Sequence, residues 1–594
     1  MVRLAAATPP VRGILELIAR TVRRRTGDDT VQLPAELHPL LRRIYSARGV
    51  RSPHELELGL DRLIPVRELD GIESAVDLLL HHHARASRIL VVGDFDADGA
   101  TSTALTVRQL TKLGFADVRF MVPNRFQFGY GLTPEIVRVA AQQTPALIIT
   151  VDNGVSSHAG VAEAQALGIE TLITDHHLPG AALPSATAMV NPNLPGNSFA
   201  SKSLAGVGVA FYVLAALTHR MQSLGLISGA PVAEFLDLVA LGTVADLVAL
   251  DFNNRILVQQ GLRRIRAGRC VPGIRALLEV AGGRVDTCVA ADLGFQIGPR
   301  LNAAGRLDDM TVGIQCLLTD DLATARLLAA RLTQLNQDRR DLEQRMQEDA
   351  LRTIAEMHAN EESLPLGLCL FEESWHQGVV GLVASRVKDR VHRPVIAMAR
   401  ADAQTLKGSA RSVAGVHIRD VLDAMAARDP GLIDKFGGHA MAAGLSIAAD
   451  RFEDFSRAFD AEVRKWMTPE DARGVLHTDG ALDAGDFSLD TARLLRISGP
   501  WGQGFPEPLF DGRFGVAESK VVGERHLKLR VRALDGGSTC DAIAFRHFDH
   551  EAAVGVPPQS EVSMAFRLDV NEYAGTERLQ LIVEHLEVVS GGRG

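Results

Sequence analysis

The sequence predicts an α/β protein of several domains: a parallel-sheet domain, a long connecting helix, a second α/β domain and a C-terminal β-barrel. Three observations carry that prediction. From Arg88 to about Pro192, short apolar runs alternate with stretches of helical periodicity. A single uninterrupted helical pattern then occupies 320–357, and five short strand-like runs separated by turn residues follow residue 475. Strand–helix alternation at this spacing means βαβ units, hence a parallel sheet covered by helices on both faces. A chain of 594 residues also exceeds what one hydrophobic core supports.

Residues 1–75, with basic runs at Arg23–Arg25 and Arg42–Arg43, read as a helical preamble. The first α/β domain is expected over 76–312. Its strand candidates are RILVVGDFD (88–96), DVRFMV (117–122), ALIITVD (146–152), IETLITD (169–175) and ATAMVNP (186–192), with helical patterns near 100–113, 133–143 and 156–168. Residues 200–310 read as mostly helical and include an apolar helix, 235–245, that ends beside a carboxylate. The connecting helix, 320–358, has apolar residues at Leu328, Leu332, Leu335, Leu342, Met346, Ala350 and Ile354. One such stripe suits a spacer between two lobes. Strand–helix alternation returns over 360–465, around the glycine-rich stretch FGGHAMAAG (436–444). The last five runs suggest, over 475–594, a small barrel of the oligonucleotide-binding kind. There Lys528, Arg530 and Arg532 alternate with apolar residues and share a face, beside Arg525 and His526. A strand-tracking face fits that pattern, and an ordinary solvated sheet face fits it nearly as well; aromatic stacking partners are few, with Phe545 and Phe548 available for stacking or for the core.

The net charge of −9 argues against a protein that coats duplex DNA, while leaving room for an enzyme with a local basic groove. The five cysteines, Cys270, Cys288, Cys316, Cys369 and Cys540, form no CxxC pair and read as buried thiols. No apolar run reaches the roughly 18 residues of a membrane span. The N-terminus lacks the layout of a signal peptide, so the cytoplasm is expected.

In an open parallel sheet the ligand site lies beyond the carboxyl ends of the strands. The first strand candidate ends in GDFDADG, placing Asp94, Asp96 and Asp98; the third ends at Asp152; the fourth at Asp175, His176 and His177. Asp246 follows the apolar helix, in GTVADLV. Carboxylates at close quarters repel one another, and burying them unpaired is costly. A pair of divalent cations about 3.5–4 Å apart removes that cost, and can activate a water, hold a scissile phosphate and stabilise the leaving oxygen. Oxygen-rich ligation with imidazole and without thiolate suits Mn2+ or Mg2+ rather than Zn2+. Each motif alone has a bland reading, as an acidic turn or a calcium loop. The EF-hand fails because the acidic loop follows a strand and lacks the later Glu. Joint placement at successive strand ends points to metal-dependent phosphoryl chemistry.

VVGDFDADGATSTAL, ITVDNGVS (149–156), ITDHH and GTVADLVALDFNNR (242–255) resemble the four motifs of the DHH phosphoesterase superfamily, and within it the RecJ group of single-strand-specific exonucleases. PNRFQFGYGLT (123–133) and GFQIGPRLNAAGRLDD (294–309) are similar to that group's further stretches. WHQGVVGLVASRV (375–387) and FGGHAMAAG resemble the associated DHHA1 domain; the likeness runs over about 80–590. It implies a hydrolase of DNA repair and recombination that digests single-stranded DNA from the 5′ end to mononucleotides with two Mn2+ or Mg2+ ions. Its partner would be single-stranded DNA, with single-strand-binding protein and a helicase as further candidates, and the chain is expected to be a monomer.

By the family pattern Asp152 bridges both ions, Asp98, His176 and Asp246 complete one, and Asp94 and Asp96 serve the other. Asp175 and His177 stand in or just outside the coordination. Some relatives place a His where this chain has Val92, with Asp94 the expected replacement ligand. Arg300, Asn302 and Arg306 would reach the phosphate, whose oxygens match an Arg fork, and Arg125 and Tyr130 the substrate. In the second domain His376, Ser385, Arg386, Ser409, Arg411 and His439 would hold the strand's backbone, and Gly437 and Gly438 would let amides approach it. One rival is a phosphodiesterase of short RNAs or cyclic dinucleotides, whose chains are shorter and lack the barrel. Another is a non-catalytic single-strand-binding scaffold, which predicts lost ligands, whereas every acidic motif position is filled.

Overall fold

In the computed structural model, which describes residues 20–28, 31, 33–124, 128, 131–360, 364–534, 536–548, 555–573 and 575–590, the chain opens on a short strand, β1 (Arg20–Arg24). This departs from the helical expectation for 1–75. The one α-helix described there before Ile72 is Pro39–Ser46, followed by short 3-10 turns. Thr21 and Val22 carry the β-branched character that favours a strand.

Two compact units form: Gly27–Asp338 with Ile497–Glu507, and the segment up to Thr26 with 339–496 and 508–594. The first is built on a parallel sheet of β2 (Arg88–Gly93), β3 (Asp117–Met121), β4 (Leu147–Val151), β5 (Glu170–Thr174) and β6 (Ala188–Val190), in the order β3-β2-β4-β5-β6. Their near-continuous apolar runs suit strands covered on both faces: every residue of β4 is buried. The chain runs outward from β2 to β3 and then returns to the other side of β2, so the order reverses between β2 and β4. Gly93 lies opposite Val151 and Val151 opposite Thr174. The acidic residues that follow β2, β4 and β5 therefore leave the sheet at one edge. The helices Ala97–Lys112, Pro134–Ala141 and His158–Ala166 fall within a few residues of their expected spans. Two further apolar helices, Gly206–Ser223 and Leu236–Ala245, bury nearly their whole length.

The helix Leu322–Asn360 has 39 residues. It starts in the first unit and passes into the second at Arg339. Leu332, Leu335, Met346, Ala350 and Ile354 of its expected stripe are buried, as are Ala325 and Ala329. The second unit carries a mixed sheet of β7 (Leu368–Phe371), β8 (Val395–Arg400), β9 (Thr405–Arg411), β10 (Lys435–Gly438) and β11 (Ala442–Ala448), ordered β10-β11-β9-β8-β7. β12 (Gly474–Thr478) pairs in parallel with β1, and Arg24 clamps Asp511 through Nε to Oδ1 at 3.1 Å and Nη2 to Oδ2 at 2.6 Å.

β13 (Phe510–Val522), β14 (His526–Ala533), β15 (Cys540–Ala544), β16 (Glu561–Tyr573) and β17 (Thr576–Ser590) close a barrel ordered β13-β14-β15-β17-β16, with β16 returning to β13. The basic face of β14 is largely paired off. Lys528 meets Asp541 at 3.0 Å, Arg530 meets Glu518 at 3.0 Å, and Arg532 Nε donates to the Gly537 carbonyl. Phe545 is exposed and Phe548 half-buried. Inside, the buried ring of Phe566 packs against Phe514, Phe487 and Phe510 with centroids 5.3, 5.9 and 6.2 Å away. Phe566→Ala removes the hub of that cluster and is expected to destabilise the barrel by about 3–5 kcal/mol. Urea unfolding followed by circular dichroism measures it, and a loss below about 1 kcal/mol would show that the barrel repacks.

Candidate metal centre

Asp96 caps the helix Ala97–Lys112, its Oδ1 accepting from the Gly99 N–H at 3.0 Å. Asp98, one turn in, is buried, and its two oxygens accept from the first N–H groups of the helix Gly206–Ser223: Gly206 at 2.7 Å and Val207 at 2.9 Å. A helix N-terminus with open amides is where a carboxylate is held most cheaply. Asp152 follows β4 at φ 62°, a left-handed conformation that Asp tolerates better than most side chains. Its side chain lies against Gly206, where an added Cβ would come within 2.7 Å of the Asp152 Cβ. Asn153 locks the neighbouring strand ends together by donating to the carbonyls of Val92 and Val151.

Asp175 accepts from the amides of Val155, His176 and His177, and its Oδ1 lies 2.7 Å from His177 Nδ1. Burial alone would lower the His177 pKa, but the bond to Asp175 and its charge outweigh this and raise it to about 9. Asp175 itself is lowered: burial would raise it, but the His177 hydrogen bond, the His177 charge and the backbone amides of Val155 and His177 together outweigh that. His176 behaves in the opposite way. Burial, and then the charge of His177, bring its pKa down to about 4, which leaves a neutral imidazole. Its Nε2 is buried and makes no hydrogen bond among the described residues, yet stands 3.1 Å from Asp152 Oδ1, 3.6 Å from Asp246 Oδ2 and 4.0 Å from Asp98 Oδ2. A neutral imidazole nitrogen facing three carboxylate oxygens is a metal-ligand donor set.

The expected ligands converge. Asp98, His176 and Asp246 form one group whose ligand atoms lie within 4.8 Å of one another; Asp94, Asp96 and Asp152 form a second; Asp152, His176 and His177 form a third. Burial, then the neighbouring Asp96, raises the Asp98 carboxyl to about 7. Burial and then Asp98 push Asp152 and Asp246 well above the usual range. These shifts are the cost of packing acids together without a cation, so the residues present fit divalent ions. Val92 is a fully buried strand residue, while the buried Asp94 stands in the second group.

Other expected site residues have different surroundings. Arg300 is buried and directs Nε to Thr333 Oγ1 at 3.1 Å and Nη1 to the Gln296 carbonyl at 2.6 Å. Asn302 supports the first acidic motif: its Oδ1 accepts from the Ala97 N–H at 2.8 Å. Arg306 is half-buried on the last turn of the same helix. Arg125 and Tyr130 lie outside the described residues. In the second unit Arg386 is engaged by Glu343 at 3.0 Å, and Ser385 is half-buried one residue before it. The His376 Nδ1 accepts from the Gly378 N–H. Gly437, Gly444 and Ser409 fall in one row across β10, β11 and β9, and a Cβ on either glycine would meet nothing within 4 Å. Arg411 lies beside that row, with Nη1 donating to Ser409 Oγ at 3.0 Å; Gly438 ends β10, and His439 follows it, its N–H donating to the Ala442 carbonyl at 2.8 Å. Sequence reasoning missed the amides of Gly206 and Val207; the only hint was a glycine opening an apolar helical run.

A parallel sheet with carboxylates gathered at its reversal point is the architecture of the DHH phosphoesterases, and residues 88–243 match the DHH family N-terminal domain. Residues 344–465 match the DHHA1 domain and 478–585 the RecJ OB domain. The single-stranded-DNA-specific exonuclease RecJ of Salmonella typhimurium is 52% identical over 96% of this chain and 99% of its own. The crystal structure of Thermus thermophilus RecJ in complex with Mn2+ is 32% identical, with a TM-score of 0.78 over 96% of this chain and 80% of that one. The corresponding Mg2+ complex gives 30% and 0.72, over 96% and 79%. The chain belongs to the RecJ family.

Asp152→Ala is expected to abolish hydrolysis at saturating Mn2+ and, in chelator, to raise Tm, because one buried like charge is gone. Near-normal turnover would refute the ligand assignment. At this site the metal-free protein should lose stability as pH rises from about 4 to about 7, because the three raised carboxyls, Asp98, Asp152 and Asp246, outweigh His176, whose lowered pKa acts in the opposite sense. The Asp98 pKa near 7, against 3.8 when unperturbed, means the native state binds more protons than the unfolded one across that window. Tm against pH in chelator measures this, and Asp98→Asn should flatten the slope.

Proposed function

We propose that this chain is a metal-dependent hydrolase that removes mononucleotides from the 5′ end of single-stranded DNA in DNA repair and recombination, acting as a monomer in the cytoplasm. The observation that carries the reading is the participation of Asp152 in two donor groups, one with Asp94 and Asp96 and one with His176. In this reading Asp152 is the shared ligand, Asp98, His176 and Asp246 complete one set, and Asp94 and Asp96 the other. Two Mn2+ or Mg2+ ions so held supply an activated water, a grip on the scissile phosphate and stabilisation of the leaving oxygen. His177, kept cationic by Asp175, sets positive charge beside the phosphate. The row of Gly437, Gly444 and Ser409, with Arg411 and His439 near it, offers a bare, polar strip for the strand's backbone.

The relatives named as single-stranded-DNA-specific support the substrate, and the Mn2+ and Mg2+ complexes of the Thermus protein support the ions. The 5′ polarity follows from the family resemblance. Single-strand-binding protein and a helicase are the partners this reading calls for. The sequence has no GxxxxGK[ST] motif, and opening a duplex costs roughly 1–2 kcal/mol per base-pair step.

The test is product analysis on end-labelled single-stranded DNA with Mn2+. A 5′ label should appear at once as mononucleotide, a 3′ label should give a shortening ladder, and a blunt GC-rich duplex should resist. The reverse assignment of labels would overturn the polarity, and internal cuts would overturn the exonuclease reading.

A further inference from the structure

Asp246 is the one expected ligand that does not follow a strand. It sits at the C-terminal end of the helix Leu236–Ala245, and the chain must reach Asp251, which caps the next helix, within a few residues. The connection holds Leu247 at φ 60°, a left-handed conformation that a leucine rarely adopts, with its side chain 68% exposed. A residue so strained persists only where the surroundings over-determine its backbone, and an exposed side chain contributes little of that constraint.

One constraint is local, the Asn254 Nδ2 donating to the Ala249 carbonyl at 2.9 Å, and a second comes from far along the sequence. Residues 497–507 belong to the metal-bearing unit, although the residues on both sides of them belong to the other. The Gln503 carbonyl accepts from the Leu250 N–H at 2.7 Å. Gly502 and Phe505 pair with each other across a tight turn, donating N–H to carbonyl in both directions. Gly504, at φ 72°, approaches Ala249 so closely that an added Cβ would lie 3.1 Å from the Ala249 Cβ. The turn is anchored on its other side. Trp501 and Phe505 stack at 5.3 Å, Arg255 lies over Phe505 at 4.4 Å, Arg48 lies over Trp501 at 5.3 Å, and Tyr45 Oη donates to the Ser498 carbonyl at 2.7 Å.

We propose that the strap 497–507 is a positioning element of the metal centre: by bracing Ala249 and Leu250 it holds Asp246 at its place against His176. The inference rests on the metal-centre reading above. Gln503, Gly504 and Trp501 touch no reacting atom; they act through the backbone of the 246–251 connection. The barrel strand β13 begins three residues after the strap, so the segment that completes the metal unit is also the covalent lead into the barrel.

The experiment is Mn2+ binding to the full-length chain by isothermal titration calorimetry, comparing the natural sequence with Gly504→Val. The valine pushes the strap away from Ala249 and is expected to weaken Mn2+ affinity by about 10–100-fold, as losing an outer support of a ligand does. Cleavage of a trinucleotide should fall in parallel and recover as Mn2+ is raised, while metal-free binding of a long single strand stays unchanged. Wild-type Mn2+ affinity in a folded Gly504→Val chain would overturn the proposal. Should that variant fail to fold, Trp501→Leu, which loosens the anchor without touching the connection, must show the same loss of affinity with recovery at high Mn2+, and an unaltered affinity overturns the proposal equally. Absence of Mn2+ binding by the natural sequence would instead refute the metal-centre reading itself.

Discussion

Asp94, Asp98 and Asp152 crowd the carboxyl edge of β2 and β4, and Asp246 joins them from a helix end, so that oxygens of Asp98, Asp152 and Asp246 face the imidazole Nε2 of His176. Like charges at this spacing cannot all be ionised in a protein interior unless something answers them. Much of the first unit supplies that answer. The amides of Gly206 and Val207 take both oxygens of Asp98, Asp175 holds His177 cationic, and burial, with the charge of His177, keeps His176 neutral. What these devices leave unbalanced is negative, and it is the balance a pair of divalent cations restores.

The sheet and its acidic edge were legible because both rest on local rules. Buried parallel strands need continuous apolar runs, and in βαβ folds a residue just past such a run stands at the ligand edge. Asp94, Asp96, Asp98, Asp152 and Asp175 could therefore be placed from spacing alone. Asp246 was harder: it follows an apolar helix rather than a strand, so it could be noted as a further carboxylate, and the strand-end rule does not place it. The opening strand β1 escaped because its partner, β12, lies some 450 residues away, and no local period announces a pairing made at that distance.

Arginines were the least legible residues. A sequence says that Arg300 carries a fork of donors; it does not say which acceptors will take them. Here the carbonyl of Gln296, one helical turn earlier, and the hydroxyl of Thr333 claim two of them. Similarly, the alternation of Lys528, Arg530 and Arg532 correctly placed them on one face of β14. Their charge depends on the facing strands, where Glu518 and Asp541 pair with Arg530 and Lys528, so this face is less positive than β14 read alone.

Domain order along a chain and physical units in space need not coincide, and residues 497–507 make the difference concrete. They lie between a helix and a strand of one unit, yet their rings pack among Tyr45, Arg48 and Arg255 of the other. An aromatic stack with two guanidinium groups over it is a costly anchor to place on a mere linker. Its position against the residues that follow Asp246 gives it a purpose that a linker lacks. A ligand that follows a strand inherits the rigidity of the sheet, as Asp152 does through the bond of its own N–H to the Thr174 carbonyl. A ligand at a helix end is tied on one side only: the Asp246 N–H donates to the Gly242 carbonyl at 2.9 Å, and the chain then leaves through Leu247, whose backbone is strained. To the local bonds at Gly242 and Asn254 the strap adds, from far along the chain, a second brace on the connection that follows Asp246.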